Sequence, residues 1–96
     1  MSKAYWISTY QKIHDPDKLA AYAALAGPAI IAGGGKFIVR GMPAKTYEAG
    51  VNERTVVIEF DSVDAAIATH DGPGYAAALA ALDGGAIREI RIIEGA

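Results

Sequence analysis

The two side chains best suited to bind or activate a small molecule are an arginine and a glutamate on separate predicted strands. Arg40 closes the stretch GGGKFIVRG (33–41), and Glu59 lies in the apolar run of residues 54–60. The planar guanidinium of Arg40 could hold a carboxylate or a similar anion. It could instead pair with Glu59 or with a charge on a second subunit, and this structural role is favoured because buried charges at interfaces need partners. Glu59 could act as a general base only in a buried site that favours its protonated form.

Four further side chains could form the wall of a ligand pocket. Trp6 and Tyr10 share one side of the first predicted strand and could stack on a planar ligand, although such aromatics are also ordinary core or interface residues. Tyr75 would first anchor its helix and secondly offer a hydroxyl. His70 precedes a predicted helix break and could lie at a pocket mouth. The candidate ligand-binding residues are therefore Arg40, Glu59, Trp6, Tyr10, His70 and Tyr75, and no residue is assigned as catalytic.

Several chemistries are excluded by what the sequence lacks. The chain has no cysteine, which excludes disulfides, thiolate chemistry and cysteine-bound zinc. His14 and His70 have no further ligands at helical or strand spacing, so no metal site is predicted. The glycines of residues 33–35 precede a strand, whereas a phosphate-binding loop places them between a strand and a following helix. We therefore predict a colourless, metal-free protein without a cofactor.

Bulk composition limits the class of protein and its partners. The 96 residues are enough for a single domain spanning 1–96. The 9 basic and 11 acidic residues give a net charge of −2 without a charged block, which argues against nucleic acid or an anionic membrane as partner. The first residues contain no apolar signal segment, and no apolar run is long enough to span a bilayer. The sequence favours a cytoplasmic location.

The elements that must position these residues follow the order β-α-β-β-α-β. Strand patterns cover residues 4–11, 36–41, 54–60 and 87–93. The first helix begins at Asp15-Pro16, is expected to kink or break briefly at Pro28, and ends at the three glycines. The second helix comes in two pieces, one capped by Asp61 or Ser62 and one that carries Tyr75. This order is typical of a ferredoxin-like α+β fold, an antiparallel sheet with its helices on one face.

Strand alternation assigns residues to the two faces of the predicted sheet. The predicted helix-facing residues are Phe37, Val39, Val56, Ile58, Phe60, Ile90 and Ile92. The predicted opposite face holds Lys36, Ile38, Arg40, Thr55, Val57, Glu59, Glu89, Arg91 and Ile93. The first strand stays ambiguous because both of its sides mix polar and apolar residues. The mixed opposite face predicts a half-hydrated interface with a second copy of the chain.

The charges assigned to this opposite face are unbalanced. Three basic side chains stand there against two acidic ones, and Arg40 is expected to lie across from Thr55. A desolvated arginine without a partner is costly. We therefore expect a small anion, most simply a carboxylate, beside Arg40.

With these residues in place, the chain resembles the DUF1330 family of dimeric α+β barrel proteins. The matching segments are Asp15-Pro16 with Tyr22, Gly34-Gly35-Lys36-Phe37 with Arg40-Gly41, Arg54 with residues 56–60, and Tyr75. The resemblance implies a homodimer whose two sheets face each other, in a family of unassigned function. Related barrels include cofactor-independent monooxygenases and small-molecule degrading enzymes. The chain departs from the family pattern at Gly72-Pro73-Gly74, where the family commonly has Ser-Pro-Glu, and at Leu82-Asp83, where it tends to have an arginine.

Three functional hypotheses follow. In the first, the protein is a homodimer that binds a small polar or anionic organic molecule without a metal. In the second, it is a cofactor-independent enzyme acting on a small organic acid or aromatic compound. In the third, it is a purely structural dimer. The enzyme hypothesis requires Arg40, Glu59 and a histidine to converge on one cavity.

Overall fold

A computed structural model describes residues 2–96, which form one antiparallel sheet and three helices. The elements are β1 (Ala4–Ile13), α1 (Pro16–Ala32), β2 (Lys36–Gly41), β3 (Thr55–Phe60), α2 (Val63–His70), α3 (Pro73–Leu82) and β4 (Ala86–Glu94). The strand order in the sheet is β2-β3-β1-β4, and every neighbouring pair is antiparallel. The buried side chains of the helices pack on one face of this sheet. The predicted ferredoxin-like fold, with its second helix in two pieces, is confirmed.

Local capping explains where the helices begin. The Asp15 carboxylate accepts hydrogen bonds from the backbone N–H groups of Asp17 and Lys18, at 3.0 and 3.2 Å, and Pro16 follows as the first helical residue. The Ser62 hydroxyl accepts a hydrogen bond from the N–H of Ala65 at 3.0 Å and so begins α2. These caps lie where the sequence predicted them.

The three glycines end α1, as predicted. The backbone N–H of Gly33 donates to the carbonyl of Ala29 and that of Gly34 to the carbonyl of Ile31, and Gly34 has a φ of 94°, a left-handed conformation that suits glycine. The expected break at Pro28 does not occur, because α1 continues through it. Proline removes only one backbone donor, and Ala26 and Ile30 on either side are buried.

The sheet face under the helices carries the core. Trp6, Ile58 and Phe60 are each about 1% exposed, and Ile90 and Ile92 of β4 pack against them as predicted. The structure also resolves the ambiguity of β1. Its helix-facing residues are Trp6, Ser8 and Tyr10, all buried, whereas Tyr5, Ile7 and Thr9 face the other way.

A β-bulge in β2 overturns the predicted position of Arg40. Phe37 pairs with Ile58, but the next pair is Val39 with Val57, so Ile38 is an extra residue in the strand. The side-chain period of a strand is two, and one extra residue therefore exchanges the faces of everything after it. Arg40 lies opposite Val56, not Thr55, and turns to the helix side. Val39, which alternation placed in the core, is 49% exposed.

The sheet face without helices is called the open face from here on. No helix formed by residues 2–96 covers it, and Ile38, Val39 and Ile93 are 45%, 49% and 56% exposed. Because Arg40 points to the other side, the predicted excess of positive charge is wrong. The ionised side chains that alternation still assigns to the open face are two basic and two acidic ones, Lys36, Arg91, Glu59 and Glu89.

Among residues 2–96, no helix is long and apolar enough to cross a membrane.

Candidate functional site

A cavity of about 50 Å³ lies between α1 and the sheet. Where α1 passes over it, the helix carries Ala23, Ala26 and Gly27, whose small side chains leave the gap unfilled. A methyl group built at Gly27 would meet no atom within 4 Å. The sheet side of the cavity combines Trp6, Ile58 and other apolar groups with an unusual set of polar ones.

Three arginines, Arg40, Arg54 and Arg88, line this one cavity, and its lining contains no aspartate or glutamate. Within residues 2–96, none of the three forms a salt bridge. Arg40 lies in β2 and Arg88 in β4, and Arg54 directly precedes β3. Antiparallel pairing places the end of β2 and the starts of β3 and β4 at the same end of the sheet, so the three charges meet there.

A cluster of tyrosine hydroxyls surrounds the Arg88 guanidinium. Nη1 donates hydrogen bonds to the hydroxyls of Tyr10 and Tyr22, and Nη2 donates one to the hydroxyl of Tyr75, all at 3.0 Å. The hydroxyls of Tyr22 and Tyr75 are themselves 2.7 Å apart. The guanidinium also stacks 4.5 Å from the centre of the Tyr22 ring. Arg88 is therefore stabilised by dipoles and ring faces rather than by a counter-charge.

This cluster fixes the charge states of its members. Burial raises the pKa of the Tyr75 hydroxyl and Tyr22 raises it further, while Arg88 lowers it by less, so Tyr75 is a neutral phenol at physiological pH. Burial lowers the pKa of the Arg88 guanidinium, but the oxygens of Tyr22, Tyr75 and Tyr10 outweigh that effect and raise it above its ordinary value. Arg88 therefore stays a cation, and Tyr75 is suited to donate or accept a hydrogen bond rather than to remove a proton.

Two polar atoms at the cavity have no partner. In the part of the chain that the structure describes, neither the Ser8 hydroxyl nor the Arg54 Nε makes a hydrogen bond, and both atoms are buried. Ser8 as a whole is 3% exposed. Buried polar groups are nearly always hydrogen-bonded, to protein or to ordered water, so these two atoms are groups that an occupant of the cavity could satisfy.

Comparison with known proteins places the chain in a family. The sequence profile described as "Domain of unknown function (DUF1330)" matches residues 3–96. The chain belongs to the DUF1330 family. The resemblance noted in the sequence is thereby confirmed over essentially the whole chain. None of the curated proteins matches this DUF1330 chain significantly.

Three solved structures share the fold of this DUF1330 chain. A protein of unknown function from Rhodopseudomonas palustris has a TM-score of 0.75 at 15% identity, covering 99% of this chain and 83% of its own. SnoaB, a cofactor-independent oxygenase from Streptomyces nogalater, has a TM-score of 0.68 at 14% identity. The match covers 100% of this chain and 95% of SnoaB. A protein of unknown function from Thermobifida fusca YX, described as dimeric and ferredoxin-like, has a TM-score of 0.66 at 22% identity. The match covers 98% of this chain and 92% of that protein. At these identities the likeness concerns the fold alone.

The structure brings together only some of the site residues predicted for this DUF1330 chain. Trp6, Tyr10 and Arg40 line the cavity, and Tyr75 reaches the same region through its hydrogen bond to Arg88. Of these, Arg40 is exposed and therefore lies at the cavity mouth.

The other two predicted residues lie elsewhere. Glu59 faces the open side of the sheet, where the Tyr5 hydroxyl donates to it at 3.4 Å and Lys3 is 3.9 Å away. His70 packs beside the rings of Trp6 and Tyr75 and contacts Asp71, but it does not line the cavity. Arg40, Glu59 and a histidine therefore do not converge on one cavity, and of the two structural partners considered for Arg40, Glu59 does not pair with it within the subunit.

Sequence reasoning missed four residues of the cavity, namely Ser8, Tyr22, Arg54 and Arg88. A signal for two of them was present. Arg54 and Arg88 alternate in step with the core residues of the strands predicted over 54–60 and 87–93, which places both on the helix side, whereas the ambiguity of the first strand left Ser8 unassigned. Within residues 2–96, no group of three or more histidine, aspartate or glutamate side chains is placed to hold a metal ion.

Proposed function

We propose that this protein is a homodimer that binds a small anionic organic molecule, without a metal, in the cavity between α1 and the sheet. The observation that carries the proposal is the set of three arginines lining one cavity whose lining has no acidic residue. A charge removed from water without a partner is costly, and like charges in one cavity raise that cost. An anion would relieve both effects, and a concave positive site also concentrates anions.

The same lining supports binding over catalysis. It holds no carboxylate and no histidine that could move a proton, and Tyr75 at its rear is held neutral by burial. SnoaB is a cofactor-independent oxygenase with a similar fold, but a shared fold does not carry a chemistry with it.

The homodimer would form through the open face. That face exposes Ile38, Val39 and Ile93 beside ionised side chains of both signs. A chain of this size also gains from burying further surface. The related protein from Thermobifida fusca is described as dimeric, which supports the same assembly here. Two sheets facing each other would give the dimeric α+β barrel.

Anion binding is tested by thermal shift at low ionic strength with a panel of small organic acids, sulfate and phosphate. We expect at least one anion to raise the melting temperature, and Arg40→Ala to reduce the shift because it removes the cation at the cavity mouth. The matched control is Lys45→Ala, which removes the same charge from the exposed connection between β2 and β3. If no anion protects the wild type and Arg40→Ala dissociates the dimer, Arg40 is structural and the protein is a purely structural dimer.

The assembly is tested by size-exclusion chromatography with light scattering. The wild type should have twice the 10.0 kDa mass of one chain. Ile93→Asp on the open face should give a folded monomer. Ile31→Asp changes a similarly exposed isoleucine of α1 and should leave the dimer intact. A wild type of single-chain mass at micromolar concentration would contradict the proposed assembly.

A further inference from the structure

We infer that the ligand is a short monocarboxylate whose carboxylate group is held between the Arg54 Nε and the Ser8 hydroxyl. This inference rests on the proposed anion-binding function and specifies both the ligand class and the residues that recognise it. Arg40 would close over the ligand from the cavity mouth, and Arg88 would act only through the tyrosines.

Two buried donor groups at the cavity lack a partner among the described residues. In residues 2–96, the two buried polar atoms without a partner, Ser8 Oγ and Arg54 Nε, belong to residues that line the same cavity. An arginine offers its Nε–H and one Nη–H side by side, which matches the two oxygens of a carboxylate. A hydroxyl can donate to one of those oxygens as well. An occupant with two acceptor oxygens would therefore satisfy both orphaned groups.

Ser8 and Arg54 are neighbours on the sheet. Ser8 lies directly opposite Val56 on β3. The Tyr10 N–H donates to the Arg54 carbonyl at 3.0 Å, so Arg54 continues β3 two residues beyond Val56, on the same face. Ser8 and Arg54 are thus diagonal neighbours with backbones about 7–8 Å apart, a gap that a long arginine side chain and a small anion can bridge. Arg40 lies opposite Val56 on its other side.

The Arg88 guanidinium is already engaged by tyrosine hydroxyls. Both hydrogens of its Nη1 and one of its Nη2 are donated to tyrosine hydroxyls. Because the oxygens of Tyr10 and Tyr22 accept these bonds, their own hydroxyl hydrogens are available to donate, and Tyr22 or Tyr75 uses one in their mutual bond. Arg88 is therefore a positioning residue that orients phenol donors, and direct recognition belongs to Arg54 and Ser8.

The apolar part of the cavity wall favours an organic acid over an inorganic anion. Most of the remaining wall is apolar, including Trp6, Phe37, Ile30 and Ile58. Phosphate or sulfate carries oxygens on every side and would press some of them against this wall without hydrogen bonds, which is unfavourable. A carboxylate carries its oxygens at one end and leaves the other end apolar.

Cavity size then limits the length of the acid. The cavity measures about 50 Å³. An engineered cavity of about 150 Å³ is known to hold one benzene molecule, so this smaller one suits the shortest organic acids rather than aromatic acids. Acetate and propionate are the probes that match this limit.

The ligand class is tested on the intact protein by calorimetric titration, with nuclear magnetic resonance shifts where binding is weak. Propionate should bind more tightly than benzoate, propionamide or phosphate. Propionamide is a matched control because it keeps the shape of propionate and removes the charge. Equal binding of propionate and propionamide would contradict a charge-recognising site.

The Ser8→Ala variant gives a test in which stability and affinity change in opposite directions. Removing a buried hydroxyl without a partner should leave the unliganded melting temperature unchanged or higher, while propionate affinity falls by about tenfold. The matched control is Ser62→Ala, whose hydroxyl caps α2. It should lower the melting temperature and leave propionate affinity unchanged. A Ser8→Ala protein that binds propionate as tightly as the wild type would overturn the inference.

Arg54→Lys separates fork geometry from charge. Lysine keeps the positive charge but lacks the Nε–H, so propionate affinity should fall by about tenfold or more. Unchanged affinity would show that charge alone is read and would contradict the assignment to Nε. If phosphate or sulfate binds better than any carboxylate, the ligand class is wrong while anion binding stands. If no anion binds at all, the proposed function itself fails.

Discussion

The space between sheet and helices has two ends of opposite character. At one end, Trp6 stacks on Phe60 with ring centres 6.2 Å apart and meets the edge of Tyr75 at 4.9 Å, and these side chains are about 1% exposed. At the other end, three arginines and two unpaired polar atoms surround a cavity. The first end is filled by aromatic packing, whereas the second keeps a gap beneath the small residues of α1.

The difference assigns stability and binding to separate places. Close-packed aromatic rings supply burial but leave no room for a ligand. The arginine end forgoes that burial and keeps groups whose hydrogen-bonding needs are incomplete. Trp6 belongs to both ends, because it packs on Phe60 and also lines the cavity. Substitutions at the two ends should therefore differ in kind as well as in size.

The largest effect is expected at the aromatic end. Phe60→Ala removes a ring that is 1% exposed and leaves a hole beside Trp6, which should lower the free energy of unfolding by about 3–5 kcal/mol. The measurement is urea denaturation of the purified protein. Phe37→Ala, at the cavity and only partly buried, is the comparison and should cost clearly less. Equal losses would show that the cavity end is as tightly packed as the aromatic end.

A smaller effect is expected where the two ends meet. Tyr75→Phe removes the hydroxyl that accepts from Arg88 and pairs with Tyr22, which should lower the free energy of unfolding by about 1–2 kcal/mol. The control is Tyr47→Phe, because Tyr47 is 75% exposed and its hydroxyl should contribute little.

The same substitution should also change the response to alkaline pH. Burial, with Tyr22, raises the pKa of Tyr75, so the folded protein holds this proton more tightly than the unfolded chain does. The stabilisation that comes from this tightly held proton is fully present below about pH 10, the pKa of tyrosine in the unfolded chain. It is lost as the pH rises above that value. The stability of the wild type should therefore fall more steeply above that pH than the stability of Tyr75→Phe. Parallel alkaline curves would contradict a buried, neutral Tyr75.

The smallest effect is expected above the cavity. Gly27→Ala adds a methyl group where no atom lies within 4 Å and should raise the free energy of unfolding by about 0.5–1 kcal/mol through helix propensity. Gly35→Ala is the contrast, because its methyl group would lie 2.5 Å from Ile30 and 2.8 Å from Phe60 at the packed end. Thermal unfolding of the two variants should shift in opposite directions. A destabilised Gly27→Ala would show that the space beneath α1 is already filled.

The order and type of the elements could be predicted from the sequence because their signals are local. Asp15-Pro16 and Ser62 mark helix starts, and residues 33–35 mark a helix end, each through a hydrogen bond within a few residues. The core face of β3 and β4 followed from strict alternation. The same alternation places Arg54 and Arg88 on the helix side, at the first and second positions of the strands predicted over 54–60 and 87–93.

The position of Arg40 could not be predicted in the same way. Alternation assumes one residue per step, and the extra residue at Ile38 breaks that assumption without any glycine or proline to mark it. The cavity is equally hidden, because it depends on how closely the small residues of α1 approach the sheet. The meeting of Arg40, Arg54 and Arg88 is a consequence of strand order, which a single sequence does not specify.

The bulge at Ile38 also bears on colloidal behaviour. β2 is an outermost strand of the sheet, and its free backbone edge, flanked by Ile38 and Val39, would be a template for adding a strand from another molecule. A bulge bends and twists such an edge, which discourages regular strand addition. Deleting Ile38 would restore regular pairing geometry along the edge of β2. It would also turn the Arg40 side chain out of the cavity. One inserted residue thus disfavours regular strand addition at this edge and also turns Arg40 towards the cavity.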